Sequence, residues 1–146
     1  MTSLIDDLIQ RGSVQRVPID IRAVERLIRD ATQHLATASA ALERGDLSGA
    51  FQLAYDAARK SLTALALSRG LRTKGEGAHV TLIAVVQTEW SDEPGLEVVG
   101  KLDRLRRTRN RAEYAGHWFD RDEIEDALRT AGAIVEWVTA VGRPGS

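Results

Sequence analysis

Apolar residues recur at intervals of three and four along most of the chain, the spacing that lays a single stripe along an α-helix. The longest stripe comprises Val24, Leu27, Ile28, Ala31, Leu35, Ala38 and Leu42. Asp20, just after Val17-Pro18-Ile19, supplies the side-chain oxygen that begins this helix, and Gly45 permits the left-handed turn that ends it. Asp46 caps the next helix, predicted over about residues 46–69. There Leu47, Phe51, Ala54, Ala58, Leu62 and Leu65 occupy one side, while Leu53, Ala57, Ala64 and Leu67 are apolar on the other. A helix that is apolar nearly all round belongs at the centre of a bundle, and its many alanines permit close approach by neighbours.

The same reading predicts a short opening helix over about residues 2–11, ended by Gly12 and Ser13. After the turn-rich loop from Leu71 to Gly77, a helix runs from about His79 to Trp90. Ser91-Asp92-Glu93-Pro94-Gly95 breaks the chain, and an arginine-rich helix follows from Leu96 to about Tyr114. The last helix starts at Asp120, with Glu123 placed to complete a capping box and Phe119 to staple onto Ile124. Its stripe is Ile124, Leu128, Ala131, Val135 and Val138. No strand pattern competes. Short connections favour antiparallel neighbours, so the expected fold is all-α, an up-and-down antiparallel helical bundle of about five helices. One domain is expected over 1–146, with 1–19 as short helix and linker and 20–140 as core.

Composition narrows the classes. Hydrophobic residues at 43% and charged residues at 28% argue for a globular chain and against disorder. A net charge of −1 excludes a wholly basic nucleic-acid coat, so any basic surface is local. The absence of cysteine removes disulfides, thiolate zinc sites and cysteine nucleophiles. The start MTSLIDDLIQRG lacks the basic opening and apolar core of a signal peptide, and no run reaches the ~20 apolar residues of a membrane span. A cytoplasmic location and no membrane contact are therefore expected. His34, His79 and His117 are scattered, so neither a metal site nor a cofactor is expected, and His79 reads as a helix-start residue. Lys74-Gly75-Glu76-Gly77 lacks the spacing of a phosphate-binding loop and reads as a flexible connection. Trp90, Trp118 and Trp137 read as packing residues, with Trp118 also placed to stack on a base.

The one strong charge cluster is Lys101 to Arg111, with six cations against a single acid. Val98, Leu102, Leu105 and Ala112 form the apolar stripe of this helix; Arg109 falls in its middle while Arg104, Arg107 and Arg111 point away. For the outward arginines the plain reading is a solvated face paired to acids elsewhere. Burying an unpaired guanidinium is costly, so Arg109 requires an acid, a polar cleft or a symmetry mate. Two readings stay open: a structural pair with Glu113 one turn on, or a phosphate-binding arginine in a cleft.

The run Arg109-Asn110-Arg111-Ala112-Glu113-Tyr114 follows a helix carrying Tyr55-Asp56-Ala57-Ala58-Arg59-Lys60 and a helix start at Gly77-Ala78-His79. In this it resembles the HEPN (higher eukaryote and prokaryote nucleotide-binding) superfamily, over roughly residues 20–140 and most of all its small stand-alone bacterial forms. The resemblance implies a bundle that homodimerises, brings the arginine motifs of two subunits together and, in many members, cleaves RNA without metal. The family's nuclease motif is an arginine, usually followed by a polar residue, with a histidine a few residues on. Arg109 and Asn110 match its first half, whereas Tyr114 stands where the histidine is usual. A phenol of pKa about 10 accepts a proton less readily at neutral pH than an imidazole of about 6.5. Arg111 and His117 also satisfy the loose spacing, although His117 reads equally as a loop residue packing the entrance of the last helix.

The implied catalytic residues are thus Arg109, Asn110, Tyr114 and His117, with Arg104, Arg107 and Arg111 contacting RNA or a nucleotide. Many relatives pair with a nucleotidyltransferase that modifies a tyrosine two residues beyond the motif histidine, where this chain has Gly116. The functional expectation is an RNA- or nucleotide-interacting protein of a bacterial toxin–antitoxin or defence module, with metal-independent ribonuclease activity through the Arg109–Asn110 motif left open by Tyr114 at the usual histidine position. The alternatives are a non-catalytic antitoxin or nucleotidyltransferase partner, and a structural dimerisation bundle.

Overall fold

Each of the three long helices begins at an aspartate whose carboxylate closes the first turn. Asp20 accepts from the Ala23 amide at 3.2 Å, Asp46 from Gly49 at 3.0 Å and Asp120 from Glu123 at 2.8 Å. These bonds satisfy amides that have no intrahelical partner. The computed structural model describes residues 3–114 and 118–142, with side chains through residue 112 in the first stretch. In chain order it contains α1 (Leu4–Gln10), β1 (Val14–Arg16), α2 (Ile21–Glu43), α3 (Leu47–Leu67), β2 (Leu71–Thr73) and α4 (Ala78–Glu89). A 3-10 turn (Leu96–Gly100), α5 (Lys101–Tyr114) and α6 (Arg121–Val141) complete it.

The helical bundle is as expected, with α1 as a short addition to five core helices. α3 is its hub: it packs along α2 and α6 and touches α4 and α5. Leu62 and Leu65 are buried on one side of α3 and Ala57 and Ala64 on the other, the all-round burial that its pattern predicts. α6 buries Ile124, Ala131, Val135 and Val138 of its predicted stripe. In α2 only Ala31, Ala38 and Leu42 are fully buried, because that helix is covered on a single side. No helix among the described residues is long and apolar enough to cross a membrane.

Two local features depart from the expected pattern. Val14-Gln15-Arg16 and Leu71-Arg72-Thr73 pair as an antiparallel sheet, in register Val14 with Thr73, Gln15 with Arg72 and Arg16 with Leu71. Three residues are too few for an alternating signal to stand out, and the pairing joins segments 57 residues apart. Just beyond the sheet, Gly70 accepts from the Val17 amide at 2.8 Å. Gly70 has φ +71, and a Cβ there would come within 2.7 Å of the Val17 carbonyl oxygen, so only glycine fits without strain. The segment read as a linker is thereby tied to the bundle. The second departure is the 3-10 turn, since the fifth helix becomes α-helical only at Lys101 rather than at Leu96. Over a single turn an apolar stripe does not distinguish the two helix types. Here the Trp137 indole donates to the Pro94 carbonyl at 2.9 Å and fixes the chain just before the turn.

Candidate functional site

α5 presents its cations in two environments. Leu102 and Leu105 are buried in the core, which turns Arg104, Arg107 and Arg111 outward. Arg104 reaches across to α6, where Asp126 and the Thr130 hydroxyl each lie 3.1 Å away. Asp103 receives Arg106 and Arg107, both at 2.9 Å, and the Arg106 hydrogen bond holds its carboxyl below the usual carboxylate range. Arg111 donates to the Thr108 hydroxyl at 3.3 Å. Arg104 and Arg107 therefore have acids at hand, as a solvated ion-paired face requires.

Arg109 is different. It is half-buried, its guanidinium carbon lies 5.1 Å from the centroid of the Tyr55 ring, and its Nε is buried with no hydrogen-bond partner among the described residues. An aromatic face stabilises a cation without satisfying its N–H groups. The side chains of Glu113 and Tyr114 lie outside the described residues, as does His117, so neither the Glu113 pair nor the two motif proton acceptors belong to the described geometry.

Tyr55 itself is buried in α3, only 1% exposed, in a row of rings with Phe51 and Phe119. Its hydroxyl is 2.6 Å from Nδ1 of His79, and the two rings tilt together with centroids 5.7 Å apart. His79 is therefore more than the helix-start residue expected. Burial raises the Tyr55 phenol pKa above its ordinary value, although Arg109, Arg59 and Arg106 pull the other way. Burial also lowers the pKa of His79, and Arg59, Arg109 and Arg106 reinforce this, with Asp56 the opposing charge. The imidazole is consequently neutral at pH values where an ordinary histidine begins to charge.

His79 and Arg109 open onto a cleft of about 270 Å³, which Gly75, Gly77, Arg106 and Asn110 also line. No described carboxylate lines it. Gly77 starts α4 with φ +73 and no side-chain cap, so the positive end of the helix lies at the cleft wall. Asn110 also borders a second hollow, of about 530 Å³, with Arg104, Arg107 and Arg111, and so stands on the ridge between the two. The arrangement is built for an anion: fixed guanidiniums, an amide, an imidazole and a helix N-terminus around one space. Among the described residues no three His, Asp or Glu side chains gather to hold a metal ion.

Of the site residues read from the sequence, Arg109 and Asn110 share the inner cleft and Arg104, Arg107 and Arg111 share the outer hollow. Tyr55 and His79 were not among them. They are 24 residues apart on different helices, and helical periodicity reports only what lies along one helix. Trp90 and Trp137 are buried as expected, whereas Trp118 is 91% exposed and borders a hollow with Ala112 and Phe119. The model of the HEPN domain family matches residues 24–141, from the first turn of α2 to the end of α6. No curated protein matches the chain.

Proposed function

The chain belongs to the HEPN domain family, and from that premise we propose that it binds RNA along α5 and cleaves it without a metal ion at the Arg109–Asn110 cleft. The observation that carries this reading is Arg109, whose buried Nε has no partner among the described residues in a cleft that no described carboxylate lines. A buried donor of this kind is expensive unless a ligand supplies the acceptor. A phosphodiester offers two non-bridging oxygens, which a planar guanidinium matches as a fork. Asn110 orients the phosphate from the ridge. Donors fixed in advance around phosphorus favour the added charge of the transition state, which is a principal source of enzymatic acceleration. Arg104, Arg107 and Arg111 steer the strand through counterion release. Tyr114 and His117 are the motif candidates for proton transfer, and the proposed setting is a homodimer within a toxin–antitoxin or related defence module.

A second reading has its own support. Arg104, Arg107 and Arg111 lie exposed around one hollow, which suits a docking face for an acidic surface on a partner such as a nucleotidyltransferase, without turnover. The test is incubation of labelled tRNA and mRNA in chelator with the wild type and Arg109→Ala. Cleavage by the wild type alone supports the nuclease. Equal cleavage by both proteins overturns the role of Arg109, and retention of RNA or partner without cleavage favours the docking face.

A further inference from the structure

We infer that His79, oriented by Tyr55, is the catalytic proton acceptor of this cleft and supplies the imidazole that Tyr114 does not. The inference rests on the ribonuclease reading above and adds to it a residue outside the arginine motif. Three observations carry it. His79 lines the same cleft as Arg109 and Asn110, so a phosphodiester seated on those two lies beside the imidazole. One ring nitrogen is already committed, because Nδ1 is 2.6 Å from the Tyr55 hydroxyl. Finally, the two functional groups share one support: Tyr55 carries the Arg109 guanidinium on its ring and the His79 imidazole at its hydroxyl.

The chemistry follows from the tautomer. When Nδ1–H donates to the Tyr55 oxygen, Nε2 keeps a free lone pair; rotation of the Tyr55 hydroxyl into Nδ1 gives the opposite tautomer. In the productive form the ribose 2′-hydroxyl attacks phosphorus and its proton passes to Nε2. The O2′–P bond forms, the P–O5′ bond breaks, and water protonates the departing O5′ oxygen. The imidazolium then returns its proton to the hydroxide left behind. The products are a 2′,3′-cyclic phosphate and a 5′-hydroxyl, with no change in oxidation state. Burial, reinforced by Arg59 of α3 and by Arg109 and Arg106 of α5 and opposed by Asp56, holds the imidazole pKa below its ordinary value, which favours the neutral acceptor at neutral pH. Tyr55 is a positioning residue.

The test measures cleavage of a labelled random-sequence RNA pool and of total tRNA in chelator, across pH, for the wild type, Arg109→Ala, His79→Gln and Tyr55→Phe. His79→Gln is expected to lower kcat/KM by about 100-fold or more at an unchanged circular dichroism spectrum and to abolish the acid limb of the profile. Tyr55→Phe keeps the ring and removes the acceptor that favours the imidazolium, so it shifts that limb to lower pH. If His79→Gln fails to fold, the Tyr55→Phe limb decides: an unmoved limb overturns the inference. Wild-type cleavage that needs Arg109 but survives His79→Gln within about threefold overturns His79 and leaves the ribonuclease reading standing. Absence of wild-type cleavage overturns both.

Discussion

The Arg109 guanidinium carbon lies 5.1 Å from the centroid of the Tyr55 ring, and this contact holds a charged group in a half-buried position without an acidic partner among the described residues. A cation over an aromatic face recovers roughly 0.5–2 kcal/mol, less than the full cost of taking a guanidinium and its donors out of water. Arg109 is thus placed for binding at some expense to stability.

Replacing Arg109 by methionine separates the two effects. Arg109→Met fills similar volume without a buried donor, so its denaturation midpoint should equal or exceed that of the wild type. RNA affinity should fall about tenfold, and the slope of log affinity against log salt should flatten by about one. Equilibrium unfolding and filter binding at several salt concentrations check both halves.

Acid stability should depend on His79. Its folded-state pKa is depressed below the ordinary 6.5, so below that pH the unfolded chain takes up this proton more readily than the folded one. Its neutral form thus supports the fold fully above pH ~6.5, and that support is lost as pH falls towards the folded-state value. Urea unfolding between pH about 7.5 and 5.5 should show a decline that His79→Gln flattens. A decline equally steep in the variant would assign the effect to other groups.

Asp103 restrains two arginines, and its removal should release them. Asp103→Asn frees Arg106 beside the inner cleft and Arg107 beside the outer hollow, so RNA affinity at low salt should rise by about threefold. The stability cost should stay below about 1 kcal/mol, because these pairs are partly solvated. The Asp103 carboxyl is depressed below 3.8, so its contribution is present above that pH and lost only as pH falls through the folded-state value.

The core and the sheet junction should respond on different scales. Leu62 is fully buried at the centre of α3, so Leu62→Ala should lower stability by about 2–5 kcal/mol. Asp120→Ala removes one cap and should cost about 1 kcal/mol. Gly70→Ala must strain a positive φ and displace the Val17 carbonyl, so it should lower stability by at least about 1 kcal/mol. Denaturant titration followed by circular dichroism ranks the three.

The helices were readable because each carries its own evidence along the chain. Asp20, Asp46 and Asp120 mark the starts, and the stripes of α3 and α6 mark the buried faces, through spacings of three and four residues. The arginine motif was readable for the same reason: the period of α5 alone puts Arg109 among Leu102, Leu105 and Ala112. The sheet between Val14–Arg16 and Leu71–Thr73 was not, since each strand is shorter than one clear alternation and finds its partner only through the folded bundle.

By itself, then, the sequence determined the helical class, the helix starts and the helix that carries the cations, all of them properties of residues a few positions apart. Only the tertiary structure decided what stands opposite Arg109. α4 contributes His79 and α5 contributes Arg106, Arg109 and Asn110 to one cleft, and Tyr55 of α3 stands behind them, touching both His79 and Arg109, because α4 and α5 both pack on the α3 hub. Periodicity specifies which side of a helix faces inward; the axial offset and crossing angle that decide which inward residues meet arise from side-chain packing between helices, which no single helix encodes.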